Sequence, residues 1–353
     1  MAVAVVEERQ LLKTLSWYDG FTIALAVQTG VFLSLPYTIA SVGAWGAIAL
    51  WTASCIIGLL QNFLFAEMAS MFPDKQGISL YANEAWRRYF APIGPLAAFG
   101  YWMGWSLVLA IFGVTAGSLV QAEWFPGQTW TLWDGAVHVG LQHFIAAGFV
   151  VAVWALNIYG IKPAVWVTYV TGALFLIVTG ILIVAPWVTG NWHSDNLSWT
   201  FTGPWGGWKI AIVWLFIIGW TSYATEICAT FAPEYKRGRT DVWKALRTSA
   251  LLAIVLYSLT PLSATGAVGE KVIQSNPIAY PVPAFALLVG PASGFVVAVI
   301  VAALFLTMIS STADAARALY GIARDGMTVK QLYHLNRFHI PGRAMTLDLF
   351  VNL

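Results

Sequence analysis

The sequence predicts an all-α integral membrane protein, and three observations carry that prediction. Hydrophobic residues make up 59% of the 353 positions and charged residues only 10%, with a mean hydropathy of +0.73. A typical globular chain is about 25% charged. Eight apolar runs have the length of about 20 residues needed to cross ~30 Å of hydrocarbon: 19–40, 45–70, 94–121, 142–160, 164–188, 208–232, 244–268 and 292–322. The third observation is the placement of Lys and Arg. With the connections numbered alternately, 16 of the 18 basic residues fall on one side and only Lys209 and Lys271 on the other. The positive-inside rule makes the crowded side, and with it the N-terminus, cytoplasmic. A miscounted span would scramble that split.

Each element follows in order. The first fourteen residues, MAVAVVEERQLLKT, lack the basic region, short apolar core and small-residue cleavage site of a signal peptide, so span one is expected to act as an uncleaved insertion signal. Turn chemistry separates the spans at Pro73-Asp74, Pro92-Ile93-Gly94-Pro95, Gly190-Asn191 and Pro291. Residues 77–91 alternate apolar and polar positions at helical spacing, with Arg87 and Arg88 on the cytoplasmic side. They read as a short amphipathic helix on the membrane surface, with a solvated loop as the alternative. Residues 269–290, with Pro277, Pro281 and Pro283, are placed over an external vestibule. Nineteen tryptophans suit two membrane interfaces. Cys55 and Cys228 lie inside apolar runs and read as small core residues. A net charge of +2 gives no reason to expect nucleic acid.

Two spans carry polar interruptions. In span six, Gly219 to Glu226 (GWTSYATE) places Thr221, Ser222, Tyr223, Thr225 and a carboxylate at mid-depth. An acidic side chain at a helix centre costs roughly 2.5–3.5 kcal/mol on insertion scales, so it faces a cavity or a partner. The ordinary alternative is hydroxyls bonded to their own backbone and a glutamate paired with an arginine. In span one, Gln28-Thr29-Gly30-Val31-Phe32 places a polar pair and a glycine at mid-depth, with Pro36 beyond. Glycines in membrane helices also serve close packing. Interruptions at corresponding positions of two repeats point to a transporter's central site, and spans one and six correspond if the repeat is five helices long.

From about Ser16 onward the chain resembles the amino acid–polyamine–organocation superfamily of secondary transporters. The residues that carry the resemblance are Thr29-Gly30-Val31-Phe32 in span one and Phe65-Ala66-Glu67-Met68-Ala69 with Phe72-Pro73 closing span two. Next come Gly77 to Tyr81 with Glu84-Ala85-Trp86, and then Asn157, Gly160 and Lys162 before span five. Trp220 to Glu226 matches in span six, and Pro233-Glu234-Tyr235-Lys236 stands where an acidic, aliphatic, Lys run is usual. The most specific match is Arg317 to Gly326 (RALYGIARDG) after span eight. Gln28 and Ala224 stand where the family commonly has glycine.

The resemblance implies a single transmembrane transporter domain over 1–353, built as two inverted five-helix repeats, about 16–188 and an incomplete second one about 208–353. It implies an amino acid or related amine as substrate, held between spans one and six, with no cofactor. Amides around Thr29, Gly30 and Val31 would take the carboxylate, and carbonyls around Ser222, Tyr223 and Ala224 the ammonium group. Trp220 would gate the site. Exposed N–H groups at a half-helix start favour anions, and free carbonyls favour cations. For coupling, a proton is favoured over sodium. Of the span-eight hydroxyls only Thr307 is in register with the pair that sodium-coupled relatives use, and Glu226 is the leading protonatable group. Asp314 and Arg317, three residues apart, read first as a pair on one helix face. The sharper reading is an inner gate in which Arg317 exchanges Asp314 for Glu67.

Membrane-embedded enzymes with a metal or a Ser-His dyad are disfavoured, because His138, His143, His193, His334 and His339 all lie in or beside loops. A receptor or scaffold would explain the helices without the two aligned interruptions. A ninth apolar run starts near Ala344, and relatives of this kind have ten or twelve spans. The expectation is therefore a fragment of a longer open reading frame, the alternative being a truncated, non-transporting product. The expected location is the cytoplasmic membrane, with several passes.

Overall fold

The computed structural model describes residues 11–72, 79–134, 138–201 and 207–353. Pro73-Asp74, Gln76, Gly77 and the basic residues Arg9 and Lys75, all used in the sequence reading, lie outside the described residues.

Thirteen α-helices are described: α1 Trp17–Leu25, α2 Gly30–Met71, α3 Ser79–Trp86, α4 Ile93–Trp124, α5 Leu141–Ile158, α6 Ile161–Val188, α7 Gly207–Ser222, α8 Ile227–Thr230, α9 Gly238–Val268, α10 Glu270–Ser275, α11 Pro281–Val289, α12 Ser293–Arg324 and α13 Gly342–Asn352. Seven helical stretches among the described residues are long and apolar enough to cross a membrane, the longest being Trp17–Met71. A helix satisfies its own backbone polar groups, which is why apolar runs of this length take that form in lipid.

The longest stretch holds two crossings. A straight 42-residue α2 would be about 63 Å long, twice the hydrocarbon thickness. Instead it breaks at Gly43, where φ is 73° and ψ is 170°. That left-handed region suits glycine, and a Cβ there would also collide with the Ser198 carbonyl oxygen. The two limbs return side by side: Trp220 bonds Ser34 on the first, and Ser222 bonds Ser54 on the second. Outside the spans Glu270 pins this turn, its Oε1 accepting the N–H groups of Ala44 at 2.9 Å and Ser198 at 2.6 Å. With α1 and α2 counted as two crossings, the eight expected runs are all present.

Helix α3 is shorter than the amphipathic segment expected at 77–91. It ends at Trp86 and buries Leu80, Tyr81 and Asn83. The connection 269–290 contains two helices, α10 and α11, and Phe285 packs edge-on against Phe32 at 6.3 Å. A short antiparallel pair, β1 Thr131–Asp134 and β2 His138–Gly140, was not expected, since no alternating pattern marks it. Bulky apolar side chains remain on the outside, Phe216 at 85% and Phe350 at 72% exposed. A helix that turns one face to acyl chains keeps such residues there.

Candidate functional site

Both polar interruptions break their helices, and the breaks touch each other. Between α1 and α2, residues Ala26–Thr29 form one turn of 3-10 helix. Between α7 and α8, Tyr223 bends and Ala224–Glu226 form another. Each turn is a tightening of the helix and not an extended loop, with αR dihedrals at the flanking residues. A change of hydrogen-bond period frees carbonyls, and hydroxyls fill them. The Ala26 oxygen accepts from Thr29 at 3.0 Å and from Thr307 at 2.5 Å. The Val27 oxygen accepts from Thr221 at 3.2 Å and from Tyr257 at 3.1 Å. Tyr257 in turn stacks on the buried Trp51, centroids 4.9 Å apart. Gly30 lies so close to the Thr221 side chain that a Cβ would collide with its hydroxyl. Glycine is required there for the approach of two helices.

Beside the breaks lies a cleft of about 470 Å³, lined by residues that include Val27, Gln61, Tyr101, Trp105, Phe112, Trp220, Tyr223, Ala224, Glu226 and Thr307. Of the expected site residues, Trp220, Tyr223, Ala224, Glu226 and Thr307 stand in its wall. Thr29, Gly30 and Val31 do not. They are buried against Thr221 and Thr307, and the Gly30 amide already donates within the 3-10 turn. Ser222 faces the second limb of α2, its hydroxyl 2.5 Å from that of Ser54. The break falls a few residues earlier in span one than the glycine marks, so Val27 takes the lining position.

Glu226 is 8% exposed, and its Oε2 has no hydrogen-bond partner. The Trp105 side chain faces the carboxylate. Among the described residues no arginine pairs with Glu226. Trp220 separates two spaces. Its indole donates to Ser34 at 3.1 Å and packs edge-on against Phe112 at 6.0 Å. On its other side a second cleft, of about 570 Å³, runs past Ser34, Tyr37, Thr115, Trp214 and Pro277.

Toward the C-terminal end of α12, the expected Asp314–Arg317 pair does not form. Arg317 is fully buried and grips Glu234 with two contacts, Nε to Oε1 at 2.5 Å and Nη2 to Oε2 at 3.0 Å. Its Nη1 donates to the Ala313 carbonyl at 2.7 Å, and the guanidinium lies 4.5 Å from the Phe231 ring centroid. Glu67 is exposed and is not part of this contact. The reason is geometric: a carboxylate from the α8–α9 connection presents both oxygens to the planar guanidinium fork, which the short Asp314 three residues away cannot do. The same connection carries Tyr235. Its phenol, whose pKa burial raises well above the ordinary value, donates to the Cys228 carbonyl at 3.2 Å.

Residues that sequence reading missed are Gln61, Tyr101, Trp105, Phe112 and, as a partner for Arg317, Glu234. One signal for three of them exists: Gly100, Tyr101, Gly104, Trp105, Val108 and Phe112 recur at helical spacing on one face of α4. Among the described residues no group of three or more His, Cys, Asp or Glu side chains is placed to hold a metal ion.

Comparison with known proteins agrees with this architecture. The chain is 24% identical to the amino-acid permease RocE of Bacillus subtilis, over 97% of this chain and 72% of that protein. It is 26% identical to the histidine permease HisP of Lactococcus lactis, over 90% of this chain and 67% of that one. It is 23% identical to a D-serine/D-alanine/glycine transporter of Escherichia coli, over 91% and 67% respectively. The family model for amino acid permeases matches residues 15–353, nearly the whole chain. This is therefore an all-α, multi-pass membrane protein of the amino acid permease family, a transporter and not an enzyme.

Proposed function

We propose that this permease carries an amino acid or related amine across the cytoplasmic membrane by alternating access, driven by protons or by exchange. The cleft between the two helix breaks is the substrate site. The observation that carries the reading is the meeting of the breaks at Val27, Gly30 and Thr221 beside a cleft that holds one unpaired carboxylate and a tryptophan wall. Carbonyls and the Glu226 carboxylate at the second break suit an ammonium group. In the conformation described, the Gly30 amide donates within the 3-10 turn and Gly30 lies against the Thr221 side chain, so binding of the substrate carboxylate there requires the two breaks to part.

Trp220 is the outer wall in this reading, with the cleft past Tyr37 and Pro277 as the approach from outside. The Arg317–Glu234 pair closes the cytoplasmic side. The N-terminus is cytoplasmic in this reading, which the 16 to 2 split of basic residues supports. The whole chain is one transport domain, with repeats at about 16–188 and 208–353 related by inversion. Chemistry that holds the common part of an amino acid and leaves its side chain to an apolar wall fits the names of the relatives, which span basic and small substrates.

The test is uptake of a panel of labelled amino acids into proteoliposomes containing the purified protein. Saturable uptake that Trp220→Ala weakens supports the reading. Absence of any uptake or counterflow across the panel refutes it. Glu226→Gln decides the role of that acid, since unchanged pH dependence of transport reduces it to a packing residue.

A further inference from the structure

The permease reading leaves two fully buried acids unused, Asp348 on α13 and Asp314 on α12, and of these Asp314 is the one that acts on Tyr101 of the cleft wall. Asp314 on α12 is fully buried, and both of its carboxylate oxygens lack hydrogen-bond partners. It faces the hydroxyls of Tyr101 and Thr230 without closing a hydrogen bond to either. Those two hydroxyls are 3.2 Å apart. Tyr101 is also part of the cleft wall, together with Glu226, whereas Asp314 is not in that wall.

Charge bookkeeping isolates the pair. Of the carboxyls of Glu226, Asp314 and Glu234, only Glu234 occupies the fork of Arg317, whose charge reaches Asp314 without a salt bridge. The remaining groups that face Asp314 are the Tyr101 phenol from α4, the Thr230 hydroxyl from α8 and Glu226 from the preceding 3-10 turn. Cys228 on α8 feels both acids. None of these supplies a second positive charge. At membrane depth a carboxylate without a counter-charge or water is held only at great cost. Two such groups, both acting on one phenol, fit a mobile proton.

We propose that Asp314 is the proton-carrying group of this permease, loaded from the substrate cleft through the Tyr101 hydroxyl; this rests on the cleft being the substrate site. The transfer balances. Protonated Glu226 gives its proton, through cleft water, to the Tyr101 oxygen, while the Tyr101 O–H passes its own proton to the Asp314 carboxylate. Glu226 is left ionised to meet the substrate's ammonium group, and Asp314 is left neutral. Asp314 sits three residues before Arg317 on the same helix, so opening of the Arg317–Glu234 pair exposes it to the cytoplasm and frees the proton. Substrate and proton thereby leave on the same side.

The experiment uses the whole chain in proteoliposomes and a pool of labelled L-amino acids as probe. Two quantities are compared: accumulation driven by an imposed pH gradient, and counterflow without one. A one-unit gradient sustains up to about tenfold accumulation if one proton moves with each substrate. The wild type is expected to accumulate label several-fold. In Asp314→Asn the ratio of gradient-driven to gradient-free uptake is expected to fall to about one, and in Asp314→Glu it is expected to recover. Tyr101→Phe is expected to slow gradient-driven accumulation. If Asp314→Asn takes up no label at all, Asp314→Glu decides, because recovery of gradient-driven uptake supports the proposal and continued loss overturns it. The proposal is also overturned if Asp314→Asn keeps the wild-type ratio, or if the wild type exchanges label and ignores the gradient. A wild type with neither activity refutes the permease reading itself, a different outcome from the others.

Discussion

Replacing Glu234 by alanine tests how the C-terminal end of α12 is held to the α8–α9 connection. In the native protein the Arg317 guanidinium has zero exposure and Glu234 two per cent. Its salt-bridge partner among the described residues is that one carboxylate, with the Ala313 carbonyl and the Phe231 ring as lesser partners and Asp314 acting at longer range. Removing Glu234 leaves a full positive charge buried against a carbonyl and a ring. Breaking a buried ion pair from one side costs about 3–5 kcal/mol, a factor of roughly 10² to almost 10⁴ in the equilibrium between packed and opened forms. Replacing both partners by apolar residues of similar volume, Arg317→Met with Glu234→Leu, removes the stranded charge and is expected to cost no more than about 1 kcal/mol in stability. The assay is reversible unfolding of purified protein in detergent for wild type, both single variants and the double variant. A Glu234→Ala cost below about 1 kcal/mol, or additive costs in the double variant, would refute the reasoning.

Three further outcomes follow from other contacts. Gly43→Ala meets both the left-handed dihedral and the Ser198 carbonyl, and is expected to destabilise by at least about 1–3 kcal/mol in the same unfolding assay. Glu270→Ala orphans the Ala44 and Ser198 amides together, at about 1–3 kcal/mol for each buried donor, and hydrogen exchange at residues 43–45 and 198 is expected to quicken. Gly30→Ala pushes against the Thr221 hydroxyl, so transport is expected to fall by an order of magnitude or more, and Thr221→Ala in the same chain is expected to relieve it, read as initial uptake rates.

The fold was legible because the bilayer leaves so few solutions. Runs of about 20 apolar residues can only be helices in lipid, and the basic residues orient them. The structure kept every expected span, and it also kept the two interruptions. Their residues were harder to assign. Glu226, Trp220, Tyr223, Ala224 and Thr307 reached the cleft, but Thr29, Gly30, Val31 and Ser222 turned to neighbouring helices. A 3-10 turn rotates each following side chain relative to an α-helix, and sequence spacing does not say on which residue the turn begins.

Taken alone, then, the sequence determined the membrane class, the number of apolar runs, the charge asymmetry and the depth at which polarity breaks the apolar runs. These are properties of single segments, set by each segment's own contact with lipid and water. Partner choice belonged to the tertiary structure. Arg317 took Glu234, 83 positions away, over its own neighbour Asp314, because two oxygens on a separate connection match a guanidinium fork and one short side chain on the same helix does not. That choice left Asp314 unpaired behind Tyr101, and only the packing of α4 against α12 brings those two together.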